Sequence, residues 1–191
     1  MIISQLLQSA VKANYRSELS QLDSELLLCH VLGMTRSFLK TWPDRPVNSA
    51  QLKQYEALVQ RRVEGEPVAY LIGTQGFWSL DLAVSAATLI PRPETELLVE
   101  VALGLSVPEQ ASVLDLGTGT GAIALALATE RSQWQICAVD VESDAVALAE
   151  RNRQQHQLDN VTIFASNWFA AIPQQRFDII VSNPPYIEAS D

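Results

Sequence analysis

Cysteine and histidine are nearly missing from this chain, with two of each in 191 residues. Cys29 and Cys137 lie in the apolar runs Leu26-Leu27-Leu28-Cys29 and Ile136-Cys137-Ala138. They read as small buried hydrophobes rather than a disulfide or a metal site. His30 and His156 are far apart and show no ligand spacing, so no metal centre is expected. Basic residues are also scarce: 13 Lys and Arg against 22 Asp and Glu give a formal net charge of -9. That balance argues against tight non-specific binding to nucleic acid, which needs clustered cations, although a local basic patch can hide under it. No apolar stretch is long enough to span a bilayer. The N-terminus lacks the basic and then apolar segments of a signal peptide. The expectation is a soluble, cytoplasmic protein without membrane contact.

Apolar residues, by contrast, make up 48% of the chain, enough for a real core and against disorder. The length allows one ordinary domain or two small ones. From Ile2 to about Arg62 the pattern is helical. Ile2, Ile3, Leu6, Leu7, Ala10 and Val11 recur at helical spacing, and Leu22, Leu26, Leu27 and Cys29 give a second stripe that Gly33 stops. Leu52, Tyr55, Leu58, Val59 and Val63 mark a longer helix, with Asn48 or Ser49 as its cap. This region carries no catalytic constellation and reads as a small helical bundle.

The pattern changes after Glu64-Gly65-Glu66-Pro67. Leu80, Leu82 and Val84 alternate with polar or small residues, as in a strand, and Leu89-Ile90 is its expected hairpin partner. Pro91-Arg92-Pro93-Glu94-Thr95-Glu96 then opens a helix through Leu97, Leu98, Val101 and Leu105, with proline and acids at its positive end. Beyond Ser112 strands alternate with helices. Strands are expected at Val113–Leu116, Ile136–Val141, Val161–Ala165 and Phe177–Val181, and helices at Ala122–Glu130 and Ser143–Arg153. That order implies βαβ units and a parallel sheet, an α/β fold.

Two motifs carry chemistry. Asp115-Leu116-Gly117-Thr118-Gly119-Thr120-Gly121 follows a strand and opens a helix. Glycines there let the backbone turn tightly and let a ligand approach it at the carboxyl end of the strand. Asp140 ends the next strand, where a carboxylate can accept from both hydroxyls of a ribose. These residues indicate a nucleotide-like cofactor without naming it. Gly117-x-Gly119-x-x-Ala122 also fits the looser dinucleotide fingerprint, and a purely structural turn is the plain alternative.

The second motif is Asn183-Pro184-Pro185-Tyr186, after the buried run Phe177–Ser182. The prolines end the strand and leave carbonyls unpaired. An amide or aromatic amino nitrogen is a weak nucleophile because its lone pair is delocalised. Holding both of its N–H groups with acceptors orients it and favours pyramidalisation. The Asn183 side-chain oxygen and the Pro184 carbonyl are candidate acceptors, with Tyr186 against the flat face, which is positional and electrostatic catalysis. A rigid proline turn is the structural alternative.

Taken with the helical N-terminal region, the segment Thr88–Glu96 and Ser182–Ile187, these motifs resemble the release-factor glutamine methyltransferases, the family called PrmC or HemK. The resemblance covers nearly the whole chain. It implies a helical substrate-docking domain over residues 1–72, a β-hairpin connector over 73–90, and over 91–191 a Rossmann-like class I methyltransferase sheet with its first four strands. It implies transfer of a methyl group from S-adenosyl-L-methionine to the glutamine side chain of the Gly-Gly-Gln motif in bacterial class I peptide chain release factors. By resemblance, Gly117, Thr118, Gly119, Thr120, Gly121, Asp140 and Asn183 hold the cofactor, Trp168 lies beside its adenine, and Asn183, Pro184, Pro185 and Tyr186 bind the target glutamine. Arg92 and Glu94 fall near the site without individual roles.

Two departures stand out. Asn167 precedes Trp168 where the family usually has an acid. The family sheet has seven strands, whereas this chain stops just past the fourth, so it is expected to be a fragment whose last strand is an exposed edge. Three other functions remain open: an adenine or guanine amino methyltransferase, a nicotinamide-dependent oxidoreductase, and a non-catalytic protein-binding fragment.

Overall fold

The structure is a computed structural model that describes residues 1–13 and 19–184. It divides into two compact units, Met1–Gly73 and a second from Thr74 onward.

The first unit is all helical: α1 (Ile3–Ala13), α2 (Gln21–Leu32), α3 (Arg36–Thr41), α4 (Ser49–Val63) and α5 (Val68–Ile72). Local chemistry sets the ends. Ser20 and Asp23 form a reciprocal capping box at the start of α2, and Asn48 and Gln51 form another at α4. Gly33 ends α2 in the left-handed conformation, at φ 63°. Ile3, Leu6, Leu27, Leu28, Tyr55 and Leu58 build the core. The buried face of α2 differs from the apolar stripe expected for it. Ser24, Glu25, Leu27 and Leu28 are buried, whereas Leu22 is exposed and Leu26 and Cys29 are half-buried. Ser24 is admitted because its hydroxyl hydrogen-bonds the buried Tyr55 hydroxyl, and Glu25 because Arg36 pairs with it at 2.7 Å.

The second unit opens with a hairpin of β1 (Thr74–Phe77) and β2 (Leu80–Ala83), paired antiparallel from Thr74–Ala83 to Phe77–Leu80. The expected return strand at Leu89-Ile90 is therefore corrected: the partner precedes β2. Trp78 turns the hairpin at φ 56°, with its N–H held by the Glu96 carboxylate at 2.8 Å. A single 3-10 turn, Pro93–Thr95, leads into α6 (Glu96–Leu103). Here too the buried face differs: Val99 and Ala102 are in the core, while Leu97, Val101 and Leu105 are exposed.

The rest alternates as β3 (Ser112–Leu116), α7 (Ala122–Glu130), β4 (Gln135–Asp140), α8 (Ser143–Gln155), β5 (Val161–Ala165) and β6 (Ile179–Ser182). The strands form a parallel sheet in the order β5-β4-β3-β6. Apolar β3 lies inside it, and α7 is buried on nearly every side chain, from Ala122 to Ala128. Phe77, Leu80 and Leu82 of the hairpin join that core. Cys137 is half-buried and, like Cys29, free, with burial pushing both thiols up. Among the described residues no helix is long and apolar enough to cross a membrane.

Candidate functional site

Strand order locates the site. From β3 the chain moves to β4 and β5 on one side, then returns to β6 on the other. The carboxyl ends of β3 and β6 therefore flank the point where the winding reverses, which is where open parallel sheets bind ligands. Register makes the convergence close. Leu116 pairs with Ser182 on one side and Val139 on the other, so Gly117, Asn183 and Asp140 leave neighbouring strands at nearly one level. The Ser182 hydroxyl donates to the Leu116 carbonyl at 2.9 Å and ties the two strand ends together. A cavity of about 460 Å³ opens there, within the range of small-molecule sites.

The glycine loop forms one wall. Gly117, Gly119 and Gly121 take φ of 73°, 57° and 84°, a conformation that L-residues, with their Cβ, adopt at a cost. The N–H groups of Gly117 and Thr118 both donate to the Val139 carbonyl at 2.9 Å, which folds the loop back over β4. A Cβ at Gly117 or Gly119 would meet open space. At Gly121 a Cβ would stand 3.0 Å from Leu125 Cδ1 and 3.3 Å from Ala149 Cβ, so this glycine serves helix packing. Gly117, Thr118, Gly119 and Thr120 line the cavity and Gly121 does not.

Asp140 faces the loop from the end of β4. Its Oδ2 accepts from the Gly119 N–H at 2.9 Å and its Oδ1 from the Glu142 N–H at 3.1 Å. Each oxygen keeps a further lone pair for a ligand hydroxyl. Beneath the loop Asp115 is fully buried. Its Oδ2 accepts from the Thr118 hydroxyl at 2.7 Å, while Oδ1 has no partner among the described residues. Burial pushes its pKa up to about 6, with the Asp140 charge adding to the rise and the bonds from Thr118 and Ala124 opposing it.

Asn183 and Pro184 line the same cavity from the β6 side, and Trp168 lines it beyond β5. Trp168 takes φ 50° and is 56% exposed, with its carbonyl held by the Ser166 hydroxyl at 2.8 Å. Asn167 and Arg92 also line the wall, whereas Glu94 does not. Pro185 and Tyr186 lie outside the described residues. Among the described residues no group of three or more His, Cys, Asp or Glu could hold a metal ion.

The sequence reading missed two residues that organise the site. Asn152 of α8 is fully buried. Its amide takes the Ala83 N–H at 2.8 Å and donates to the Thr120 carbonyl at 2.9 Å and the Ala83 carbonyl at 3.1 Å. It thereby joins β2 to the glycine loop. Thr95 accepts from the Asn183 amide at 3.1 Å. A charge-free Asn on a helix full of polar residues gives no sequence signal of burial. Thr95 is obscured because its partner is 88 residues away.

Comparison with known proteins gives the family. The family model described as the PrmC N-terminal domain matches residues 5–73, and the methyltransferase small domain matches residues 93–191. The release factor glutamine methyltransferase of Pseudomonas aeruginosa is 58% identical over 90% of this chain and 62% of its own length. That of Shewanella oneidensis is 52% identical over 99% of this chain and 66% of its own. That of Escherichia coli is 50% identical over 97% of this chain and 67% of its own. The chain thus spans less than two thirds of the length of the first two relatives. It belongs to the release factor glutamine methyltransferase family.

Proposed function

We propose that the full-length protein transfers a methyl group from S-adenosyl-L-methionine to the side-chain amide nitrogen, N5, of the glutamine in the Gly-Gly-Gln motif of bacterial class I peptide chain release factors, acting in the cytoplasm in translation termination. One observation carries this reading: the glycine loop, Asp140 and Asn183-Pro184 line a single cavity at the sheet's switch point. The sulfonium cofactor supplies the methyl group. Gly117 and Gly119 give it stretches of bare backbone to lie against, Asp140 offers carboxylate lone pairs to its ribose, and Trp168 offers an indole to its adenine. Asn183 and the Pro184 carbonyl are acceptors that fix the target nitrogen, with Pro185 and Tyr186 completing the motif. Gly121 supports the loop from behind. No general base is needed before methyl transfer, because the nitrogen is oriented rather than deprotonated. Its lone pair forms the N–C bond as the S–C bond breaks, the thioether S-adenosylhomocysteine leaves, and the methylated nitrogen then releases one proton to solvent.

We propose further that the helical unit Met1–Gly73, which the PrmC N-terminal domain model matches over residues 5–73, docks the substrate protein. Its deletion from the full-length protein should slow methylation of intact release factor far more than that of a short Gly-Gly-Gln peptide. Equal losses would count against docking.

The same acceptors would suit an exocyclic base amine. Full-length protein incubated with methyl-labelled cofactor should label release factor and leave RNA and DNA unlabelled. Label on nucleic acid alone would replace this reading with a base methyltransferase. Binding of NAD instead of the sulfonium cofactor would replace it with an oxidoreductase.

A further inference from the structure

We propose that Thr95 is a positioning residue that holds the Asn183 amide with its oxygen turned to the target nitrogen. The inference rests on Asn183 acting as an acceptor, as proposed above. Asn183 sits at the exposed end of β6, and an amide there is free to rotate about its last torsion. Its two ends have opposite chemistry, since one accepts and the other donates. A rotation by half a turn would present an NH₂ group to the target NH₂, donor against donor, and abolish the bond that orients the nucleophile.

The Asn183 Nδ2 donates to Thr95 Oγ1 at 3.1 Å, the one hydrogen bond of this side chain among the described residues. With the NH₂ end engaged, Oδ1 is left for the substrate. Thr95 also lines the cavity, so the bond lies at the site itself. Its own backbone is fixed. It closes the turn Pro93–Thr95, its N–H is bonded to the Arg92 carbonyl at 3.0 Å, and it runs directly into α6, anchored by buried Val99 and Ala102. A rigid element thus supports a flexible amide. The hydroxyl serves here as an acceptor: Oγ1 offers a lone pair to the NH₂ end, which a valine methyl lacks and the donor-only ammonium of a lysine would oppose.

The test uses T95V, T95S, N183A and the double variant T95V/N183A in the full-length protein. Turnover on release factor, cofactor affinity by calorimetry and thermal unfolding are measured for each. Loss of one neutral hydrogen bond at the reacting group predicts about a tenfold lower kcat for T95V. Cofactor affinity and unfolding temperature should stay at wild-type values, and T95S should recover most of the rate. The double variant should be no slower than N183A, because Thr95 acts only through Asn183. Wild-type kcat in T95V, beside a slow N183A, would overturn the inference alone. So would a full additional loss in the double variant, or a T95S that is as slow as T95V and less stable. Wild-type kcat in N183A would instead overturn the role of Asn183, and this inference with it.

Discussion

Asp140 Oδ2 accepts the Gly119 N–H at 2.9 Å, so the acid that ends β4 and the glycine loop that follows β3 form one assembly. The carboxylate both shapes the loop and offers its remaining lone pairs to a ligand. Asp140→Ala removes a charged acceptor, and such bonds contribute roughly 1.5–3 kcal/mol each. Affinity for S-adenosyl-L-methionine should fall by about tenfold or more in calorimetry. Unchanged affinity would remove Asp140 from the cofactor site.

The glycines of the loop should separate into two classes. Gly121→Ala combines positive φ with a Cβ pressed 3.0 Å from Leu125, so it should lower stability by about 1–3 kcal/mol. Gly119→Ala meets open space and should cost less stability while filling the wall that faces the ligand. Thermal unfolding beside cofactor titration checks the pair. Equal destabilisation with equal affinity loss would contradict the division.

Asp115 should leave a mark on the pH dependence of stability. Its folded pKa is raised to about 6 by burial, so the folded state holds its proton more tightly than the unfolded chain does. The folded state therefore loses stability as pH climbs from about 4 to about 6, and the loss is complete above that. Asp115→Asn cannot ionise and escapes this loss. Relative to wild type, it should gain on the order of 2–3 kcal/mol between pH 4 and pH 7 in cofactor-free protein. A stability difference that is flat across that window would show that Asp115 does not titrate there.

Legibility in the sequence followed locality. α7 was readable because an apolar run follows the glycine loop directly, β5 because Val161, Ile163 and Phe164 stand close together, and the cap at Asn48 is likewise local. The hairpin was misread because its true first strand, Thr74-Gln75-Gly76-Phe77, buries only Phe77 and contains a glycine, so it shows no alternation. Leu89-Ile90 looked like a strand, yet Leu89 is 62% exposed and both residues line the cavity. The buried faces of α2 and α6 were misjudged for a related reason. Burial of Ser24 and Glu25 depends on Tyr55 and Arg36, and exposure of Leu97 on what packs beside it, all of which are tertiary facts. At the site, motif residues were legible as types in a pattern. The bonds that aim them, Asn152 to Thr120 and Asn183 to Thr95, join segments 32 and 88 residues apart and left no periodic trace.

The central claim is that this site delivers a methyl group to a glutamine amide. Full-length protein is incubated with S-adenosyl-L-methionine and a release factor, and the release factor is then digested and sequenced by mass spectrometry. The account predicts a single added methyl on the glutamine of Gly-Gly-Gln, and a rate reduced by about 10²–10³ with Asn183→Ala. An unmodified glutamine, or a methyl on any other residue, would contradict it.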